Sequence, residues 1–377
     1  MIYLDNSATT FPKPRYVQDT VNNAIRYYSA NPGRSGHKLS LKASEEIFLA
    51  RKTVSDFFNV GNETNVIFTL NCTMSLNMVI KGMLKDGDHV VVSSMEHNAV
   101  MRPLQKLSES GVTYTQAMVY PCDNDKTIDS FRKAINSKTK MIICTHASNV
   151  WGIKLPIERI SALAHEYGLL IAVDAAQSAG VVPIDVKKSG IDFLCVAGHK
   201  GLYGPMGTGI LIVSEQFVPD SIIEGGTGSN SLSFEQPSEL PDKLESGTPN
   251  LSGISGLRAG IQFVGRKNID NIAKHEFMLI QRLYKSFSGM KKIKLYMPFP
   301  TPEYFVPIIS FNVEGYDSET VAEILDRNNI AVRAGLQCSP AAHNMCGTVE
   351  TGAVRISPSI NTRISDIDYL VSVLRKI

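Results

Sequence analysis

The sequence lacks the features that mark several specialised classes of protein. Its 38 Lys and Arg residues nearly balance its 36 Asp and Glu residues, and the basic residues form no long run. So little net charge argues against binding to nucleic acid or to an anionic membrane surface. No apolar run approaches the roughly 18 residues of a membrane-spanning helix. No Gly-x-Gly-x-x-Gly stands at a strand-to-helix turn, which excludes a dinucleotide-binding dehydrogenase.

The sequence also lacks a Cys-x-x-Cys pair and a secretory signal. Residues 1–6 include an acid and have neither a basic nor an apolar stretch. We therefore expect a cytoplasmic protein whose thiols are reduced. Cys144 and Cys195 lie within apolar strand patterns and are expected in the core.

Short β-branched runs alternate with helical patterns from about residue 60 to residue 214. This alternation predicts an α/β fold with a mainly parallel sheet covered by helices on both faces. Gly, Ser and Pro are concentrated between residues 225 and 256, and residues 261–287 have the pattern of one long helix. We predict a large domain over residues 15–256 and a smaller α+β domain over residues 257–377 with residues 1–14.

Polar side chains follow five successive strands of the predicted sheet. Ligands bind at the carboxyl ends of strands in open parallel sheets, so these side chains are candidates for a common site. They include Thr73, His97, Asn149, Asp174 with Gln177, and His199 with Lys200.

Lys200 lies in a segment with five glycines in twelve residues, 198–209. Gly201 follows it where a nucleotide P-loop needs Ser or Thr, which excludes that motif. A partly desolvated lysine has a lowered pKa and can form a Schiff base. Asp174, one βα unit earlier, could keep a pyridinium nitrogen protonated. Taken singly, Lys200 could be a surface lysine and Asp174 a helix cap or ion-pair partner.

Six motifs in this order resemble the class V aminotransferase-fold enzymes that use pyridoxal phosphate, and within them the cysteine desulfurase and selenocysteine lyase branch. The resemblance extends over nearly the whole chain and implies the pyridoxal-phosphate fold type I and a homodimer. The motifs are YLDNSATT (residues 3–10), SMEHN (94–98), VDAAQ (173–177), GHK (198–200), SGTPN (246–250) and RAGLQC (333–338).

At the matching positions, the resemblance implies that Lys200 binds the cofactor covalently and later moves protons. Asp174 would pair with the pyridine nitrogen and His97 would stack on the ring, although His97 could also be a loop histidine that caps a helix. The other implied contacts are Gln177 to the phenolic oxygen, Asn149 to the substrate or the ring edge, Thr73 and His199 to the phosphate, Thr248 to the phosphate from a second subunit, and Arg355 to the substrate carboxylate. Thr73 is independently expected at a helix N-terminus, which suits a phosphate.

Cys338 lies in a predicted loop bracketed by Gly335 and Pro340. Its thiolate would take sulfur from L-cysteine as a persulfide and leave L-alanine. Arg333 would favour the thiolate or bind substrate. Two alternatives concern the same cysteine: a metal site with His343 and Cys346, which lacks a fourth ligand, and a Cys338–Cys346 disulfide, which a reducing cytoplasm disfavours.

Three positions depart from the expected pattern, namely Ala197 for a hydroxyl residue, the extra Gly201, and Cys72 at the phosphate end. The short cysteine loop suggests a docked sulfur-acceptor protein or a small-molecule thiol. The alternatives to a cysteine desulfurase are a selenocysteine lyase, another C–S lyase or aminotransferase of the same fold, and a catalytically inactive dimeric scaffold.

Overall fold

The computed structural model describes residues 1–33, 36–229 and 231–377. Runs of Val, Ile and other apolar residues form a seven-stranded sheet within these ranges. Its strands are β2 (Val66–Thr69), β3 (His89–Ser93), β4 (Thr113–Ala117), β5 (Thr139–Thr145), β6 (Leu170–Asp174), β7 (Phe193–Ala197) and β8 (Gly209–Val213).

The spatial order of this sheet is β2-β8-β7-β6-β5-β3-β4. All neighbouring pairs are parallel except those that involve β8, which is antiparallel to both β2 and β7. Thr145 pairs with Asp174, and Asp174 pairs with Cys195 on the next strand. The carboxyl ends of β5, β6 and β7 therefore lie side by side. The prediction of a mainly parallel α/β sheet is confirmed.

Helices cover both faces of the sheet because alternate residues of each strand face opposite sides. Cys144 of β5 packs in the core on one face and Cys195 of β7 in the core on the other, and both are fully buried as predicted. The helices that precede β7 are α1 (Arg15–Tyr27), α2 (Lys38–Phe58), a 3-10 turn (Glu63–Asn65), α3 (Cys72–Met83), α4 (Asn98–Ser108), α5 (Asn124–Ala134), α6 (Ile157–Glu166) and α7 (Val186–Ser189).

Two smaller sheets lie outside the large one. A three-stranded antiparallel sheet has the order β12-β10-β9, and a parallel pair joins β1 to β11. Their strands are β1 (Ile2–Tyr3), β9 (Ile293–Leu295), β10 (Ile309–Val313), β11 (Ile330–Ala331) and β12 (Val354–Ile356). The remaining helices are α8 (Leu251–Lys267), α9 (Ile269–Ser288), α10 (Ser318–Arg327), α11 (Pro340–Cys346) and α12 (Ile364–Leu374).

The prediction of a single long helix over residues 261–287 is wrong, because α8 ends and α9 begins at Asn268. Asn268 has a φ of 68°, and its side chain accepts a hydrogen bond from Asp270 N, so it ends one helix and caps the next. The expected domain boundary at residues 256 and 257 falls inside α8, and the division into two domains stays a prediction. In the described part of the chain, each helix is too short or too polar to cross a membrane.

Candidate active site

A pocket opens at the carboxyl ends of β2, β3, β5, β6 and β7. Its volume is about 490 Å³ when space open to solvent is included. The predicted site residues Thr73, His97, Asn149, Asp174, Gln177, His199 and Lys200 all line it. The structure therefore brings together seven side chains that are up to about 130 positions apart in the sequence, because the strands that precede them are neighbours in one sheet.

Lys200 and Asp174 are two oppositely charged groups that line this pocket. Burial lowers the pKa of Lys200, while the Asp174 carboxylate opposes that shift. Asp174 is 4% exposed, and its Oδ1 accepts hydrogen bonds from Cys72 Sγ at 3.3 Å and from Ala176 N at 2.9 Å. The arrangement provides a lysine that loses its proton readily beside a fixed carboxylate.

One end of the pocket is suited to a phosphate. Helix α3 begins here, with Asn71 as its cap and Thr73 in its first turn, where backbone N–H groups have no partner within the helix. His199 lies opposite, and its buried Nδ1 has no hydrogen-bond partner among the described residues. Burial lowers the pKa of His199 to about 4, so the ring is neutral near pH 7 and can donate one hydrogen bond.

His97 caps α4 and lines the pocket at the same time. Its Nδ1 accepts a hydrogen bond from Ala99 N at 3.0 Å, so the ring proton is on Nε2 when the ring is neutral. Burial lowers its pKa, although the Asp174 carboxylate opposes this. The capping contact fixes the ring at the pocket wall, and its stacking on a cofactor stays a prediction.

The amides of Gln177 and Asn149 are partly used inside the protein. Gln177 Nε2 donates to Ser7 O at 3.1 Å, which leaves one N–H for a ligand. Asn149 Nδ2 donates to Gln337 O at 2.7 Å, and its Oδ1 accepts from Ser339 Oγ at 2.6 Å. Asn149 therefore connects the pocket to the loop that carries Cys338.

Arg355 is buried beside this pocket and forms an ion pair with Asp5. Its Nη2 lies 2.6 Å from Asp5 Oδ1, and its Nη1 donates to Asn149 O at 2.9 Å. The buried Nε has no partner among the described residues and remains as a donor for a carboxylate. Arg333 is exposed, and its backbone pairs with that of Arg355 rather than placing its side chain in the pocket.

The loop before α11 presents Cys338 to solvent. Gln337 and Cys338 have φ angles of 45° and 60°, an unusual conformation for residues other than glycine. Cys338 O accepts a hydrogen bond from Asn98 N at 2.9 Å, so the loop adjoins the start of α4 and His97. Gln337 is buried and holds the loop in place through Nε2 to Ala353 O at 2.7 Å and Oε1 to His343 Nε2 at 2.9 Å.

A metal site around Cys338 is not supported by the geometry. His343 uses both ring nitrogens, one with Gln337 and the other with Thr348 Oγ1 at 2.7 Å. Within residues 1–33, 36–229 and 231–377, no group of three or more His, Cys, Asp or Glu could hold a metal ion. Cys338 and Cys346 are both free thiols.

Thr248 does not line the pocket of its own chain. It lies in another depression with Thr69, Met74 and Asn250. Its predicted contact with a phosphate in a second subunit stays a prediction.

The three departures from the expected motifs have different structural consequences. Ala197 lines the pocket without offering a hydroxyl. Cys72 donates its thiol hydrogen to Asp174. Gly201 packs against the backbone of Ala179 so closely that a Cβ would clash with its carbonyl oxygen, which explains why a glycine is required here.

Two residues with a part in the site were missed by the sequence reasoning. Asp5 was noted only as part of the first motif, yet it is the ion-pair partner of Arg355. Glu96 precedes His97 and is fully buried, with Oε1 accepting from Thr145 N at 2.8 Å. Burial raises its pKa to about 8. A carboxylate three residues after the buried strand β3 was the available signal for Glu96, whereas nothing local marks Asp5 as a partner of position 355.

The donor set fits a planar, phosphate-bearing aldehyde. It offers a reactive amine at Lys200, a carboxylate at Asp174 for a protonated ring nitrogen, and the ring of His97 at the wall. The unpaired His199 Nδ1 and the first turn of α3 provide donors for a phosphate.

The family model of Aminotransferase class-V matches residues 2–370, so the chain belongs to this family. Curated relatives that match this chain over its whole length are described as cysteine desulfurases or probable cysteine desulfurases. A probable cysteine desulfurase of Methanothermobacter thermautotrophicus is 34% identical over 100% of this chain and 94% of its own length. One of Pyrococcus abyssi is 32% identical, with the same two coverages of 100% and 94%.

Solved structures of cysteine desulfurases have the same fold. The apo structure of the enzyme from Thermococcus onnurineus NA1 is 30% identical, with a TM-score of 0.92 over 100% of this chain and 94% of that chain. The S-sulfonic acid form of the cysteine desulfurase CsdA from Escherichia coli is 26% identical, with a TM-score of 0.88 over 99% of this chain and 94% of that chain. The predicted family and fold are therefore confirmed.

Proposed function

We propose that this protein is a pyridoxal-phosphate-dependent cysteine desulfurase, which converts L-cysteine to L-alanine and carries the sulfur as a persulfide on Cys338. The observation that supports this most directly is the placement of Lys200 and Asp174 in one pocket, with the exposed Cys338 on the loop beside His97. The names of the relatives and of the structural neighbours support the same reaction.

Each residue has a proposed task. Lys200 binds the cofactor and moves protons, and its lowered pKa favours the neutral amine that both tasks need. Asp174 pairs with the ring nitrogen, His97 packs on the ring, and Gln177 donates to the phenolic oxygen. When bound, pyridoxal phosphate supplies an electron sink for the substrate amino acid.

The substrate carboxylate is proposed to bind Arg355, whose buried Nε has no partner among the described residues, with Asn149 beside it and Arg333 outside the pocket. The Cys338 thiolate attacks the substrate sulfur, so an S–S bond forms as the C–S bond breaks. The electron pair of that bond passes to the carbon side, which takes up a proton and leaves as alanine. Atoms balance, because cysteine and a thiol give alanine and a persulfide.

A homodimer is also part of the proposal, with Thr248 of a second copy reaching the phosphate beside Thr73 and His199. The absence of Thr248 from its own pocket supports this arrangement. Thr248→Ala should weaken cofactor binding in the dimer without changing the elution volume on size exclusion.

The test is an absorption spectrum of the purified protein, followed by assay of sulfide and alanine with L-cysteine and a dithiol. Lys200→Ala and Lys200→Arg should both lose the visible band, although arginine keeps the charge. Cys338→Ser should keep the band and lose sulfide release. Cys122→Ser, which alters the other exposed cysteine, should keep both the band and sulfide release. A coloured protein that releases no sulfide would contradict the desulfurase proposal and keep the cofactor assignment. A protein that stays colourless with added pyridoxal phosphate would contradict both.

A further inference from the structure

A groove leads away from Cys338 between helices α3 and α4. It is separate from the cofactor pocket, although Thr73, His97 and Ala99 line both. Its polar wall residues recur every four positions, with Thr73, Asn77 and Lys81 on α3 and with Asn98, Arg102 and Lys106 on α4. Residues four apart lie on one face of a helix, so each helix presents a polar stripe to the groove.

The far part of this groove is basic. Lys81, Arg102 and Lys106 are exposed, and Lys81 and Arg102 form no ion pair within the described residues. Lys106 Nζ lies 2.5 Å from Glu109 Oε2, so among the described residues the unpaired charges of the groove are those of Lys81 and Arg102. The groove therefore carries a net positive charge, whereas the whole chain has a formal net charge of only +2.

The basic residues lie at different distances from the Cys338 loop. On α4, Arg102 is four residues and Lys106 eight residues beyond Asn98, which contacts that loop, or about 6 Å and about 12 Å at 1.5 Å per residue. An extended peptide covers the longer distance with about four residues at 3.3 Å each.

We propose that this groove binds an acidic segment of a sulfur-acceptor protein, whose carboxylates lie about two to four residues from its acceptor cysteine. This inference rests on the proposed function, because it needs a persulfide on Cys338. The acceptor thiolate attacks the outer sulfur of that persulfide. A new S–S bond forms on the acceptor, the old one breaks, and Cys338 leaves as a thiolate, so sulfur moves without any external oxidant or reductant.

The test compares synthetic peptides with one cysteine, in which Asp and Glu flank the thiol, or Asn and Gln at the same positions, or Lys. The protein is first loaded with L-cysteine, its persulfide is verified by mass spectrometry, and transfer to each peptide is timed. We expect transfer to the acidic peptide to be at least tenfold faster than to the neutral one at low salt. The difference should shrink in 1 M salt, where the screening length is about 3 Å.

Charge reversal on the groove provides the decisive variant. Lys81→Glu with Lys106→Glu should remove the preference for the acidic peptide and favour the basic one. Alanine formation with an uncharged dithiol should be unchanged, because neither lysine lines the cofactor pocket. Lys274→Glu with Lys285→Glu changes the net charge equally on α9, outside the groove, and should keep the acidic preference.

Equal transfer to acidic and neutral peptides by the unaltered protein would overturn the proposal, as would a preference that survives reversal of Lys81 and Lys106. A protein that never carries a persulfide on Cys338 fails at the loading step. That result would overturn the proposed function before any peptide is added. The docking proposal would fail as well, because it rests on that function.

Discussion

Asp5 and Arg355 form an ion pair that connects the N-terminal segment to β12, with 2.6 Å between Asp5 Oδ1 and Arg355 Nη2. The side chains are only 15% and 4% exposed, so water does little to replace a lost partner. Arg355 Nε is buried and has no partner among the described residues. Asp5 thus holds the guanidinium in one orientation beside the pocket.

Asp5→Ala is expected to raise the KM for L-cysteine by tenfold or more and to lower stability by about 3 kcal/mol, because it leaves a buried guanidinium unpaired. Asp5→Asn keeps a hydrogen-bond acceptor and should have smaller effects on both. Steady-state kinetics and urea unfolding measure them. An unchanged KM in a destabilised Asp5→Ala protein would show that the pair only stabilises the fold.

The sequence predicted the central sheet and the candidate pocket well because both depend on local patterns. Strand ends are marked by an apolar run followed by polar residues, and parallel strands place those ends at one edge. Lys200 and Asp174 could be found in this way, since Asp174 ends the buried strand β6 and Lys200 comes three residues after the buried strand β7.

Contacts between distant segments could not be predicted. No local pattern brings Asp5 to Arg355 or Gln337 to Ala353, because each contact joins segments that are brought together only by the tertiary fold. The break at Asn268 was missed for a different reason. The apolar periodicity continues on both sides of it, and one asparagine with a positive φ is enough to separate two helices.

The Cys338 loop provides a second prediction through Ser339, whose Oγ donates to Asn149 Oδ1 at 2.6 Å. Ser339→Ala should slow persulfide formation on Cys338 about three- to tenfold, because a buried hydrogen bond contributes about 0.5–1.5 kcal/mol. Cofactor absorption should be unchanged, since Ser339 does not line the pocket. Single-turnover alanine release measures the effect, with Ser372→Ala on the exposed face of α12 as control. Equal rates for Ser339→Ala and the unaltered protein would contradict a positioning role for this contact.

Glu96 provides a prediction about pH. Burial raises its pKa to about 8 in the folded protein, against about 4.3 when unfolded. Between these values the folded state holds a proton that the unfolded state has released. Stability from this group is therefore fully present below about pH 4.3 and falls as pH rises, by at most about 1.4 kcal/mol per pH unit.

Glu96→Gln mimics the protonated acid and keeps Oε1 as the acceptor for Thr145 N. Relative to the unaltered protein, this variant should gain stability steadily from pH 5 to pH 8. Buried Glu276 has a pKa raised to about 8 and remains in both proteins, so the difference isolates Glu96. Urea unfolding of the apoprotein at several pH values measures it. A constant difference would mean that Glu96 does not change its protonation in this range.

Replacing Ala197 by serine is expected to raise the affinity for the cofactor. It lines the pocket directly before Gly198 and His199, and it offers no hydroxyl to the proposed phosphate. Ala197→Ser adds a donor, and a hydrogen bond to a charged group contributes about 1.5–3 kcal/mol. The dissociation constant of pyridoxal phosphate, measured by titration of the apoprotein, should fall by about tenfold or more. Ala147→Ser adds a hydroxyl after β5 and should not tighten binding. An unchanged constant for Ala197→Ser would place the phosphate out of reach of position 197, and would move the phosphate site away from the start of α3.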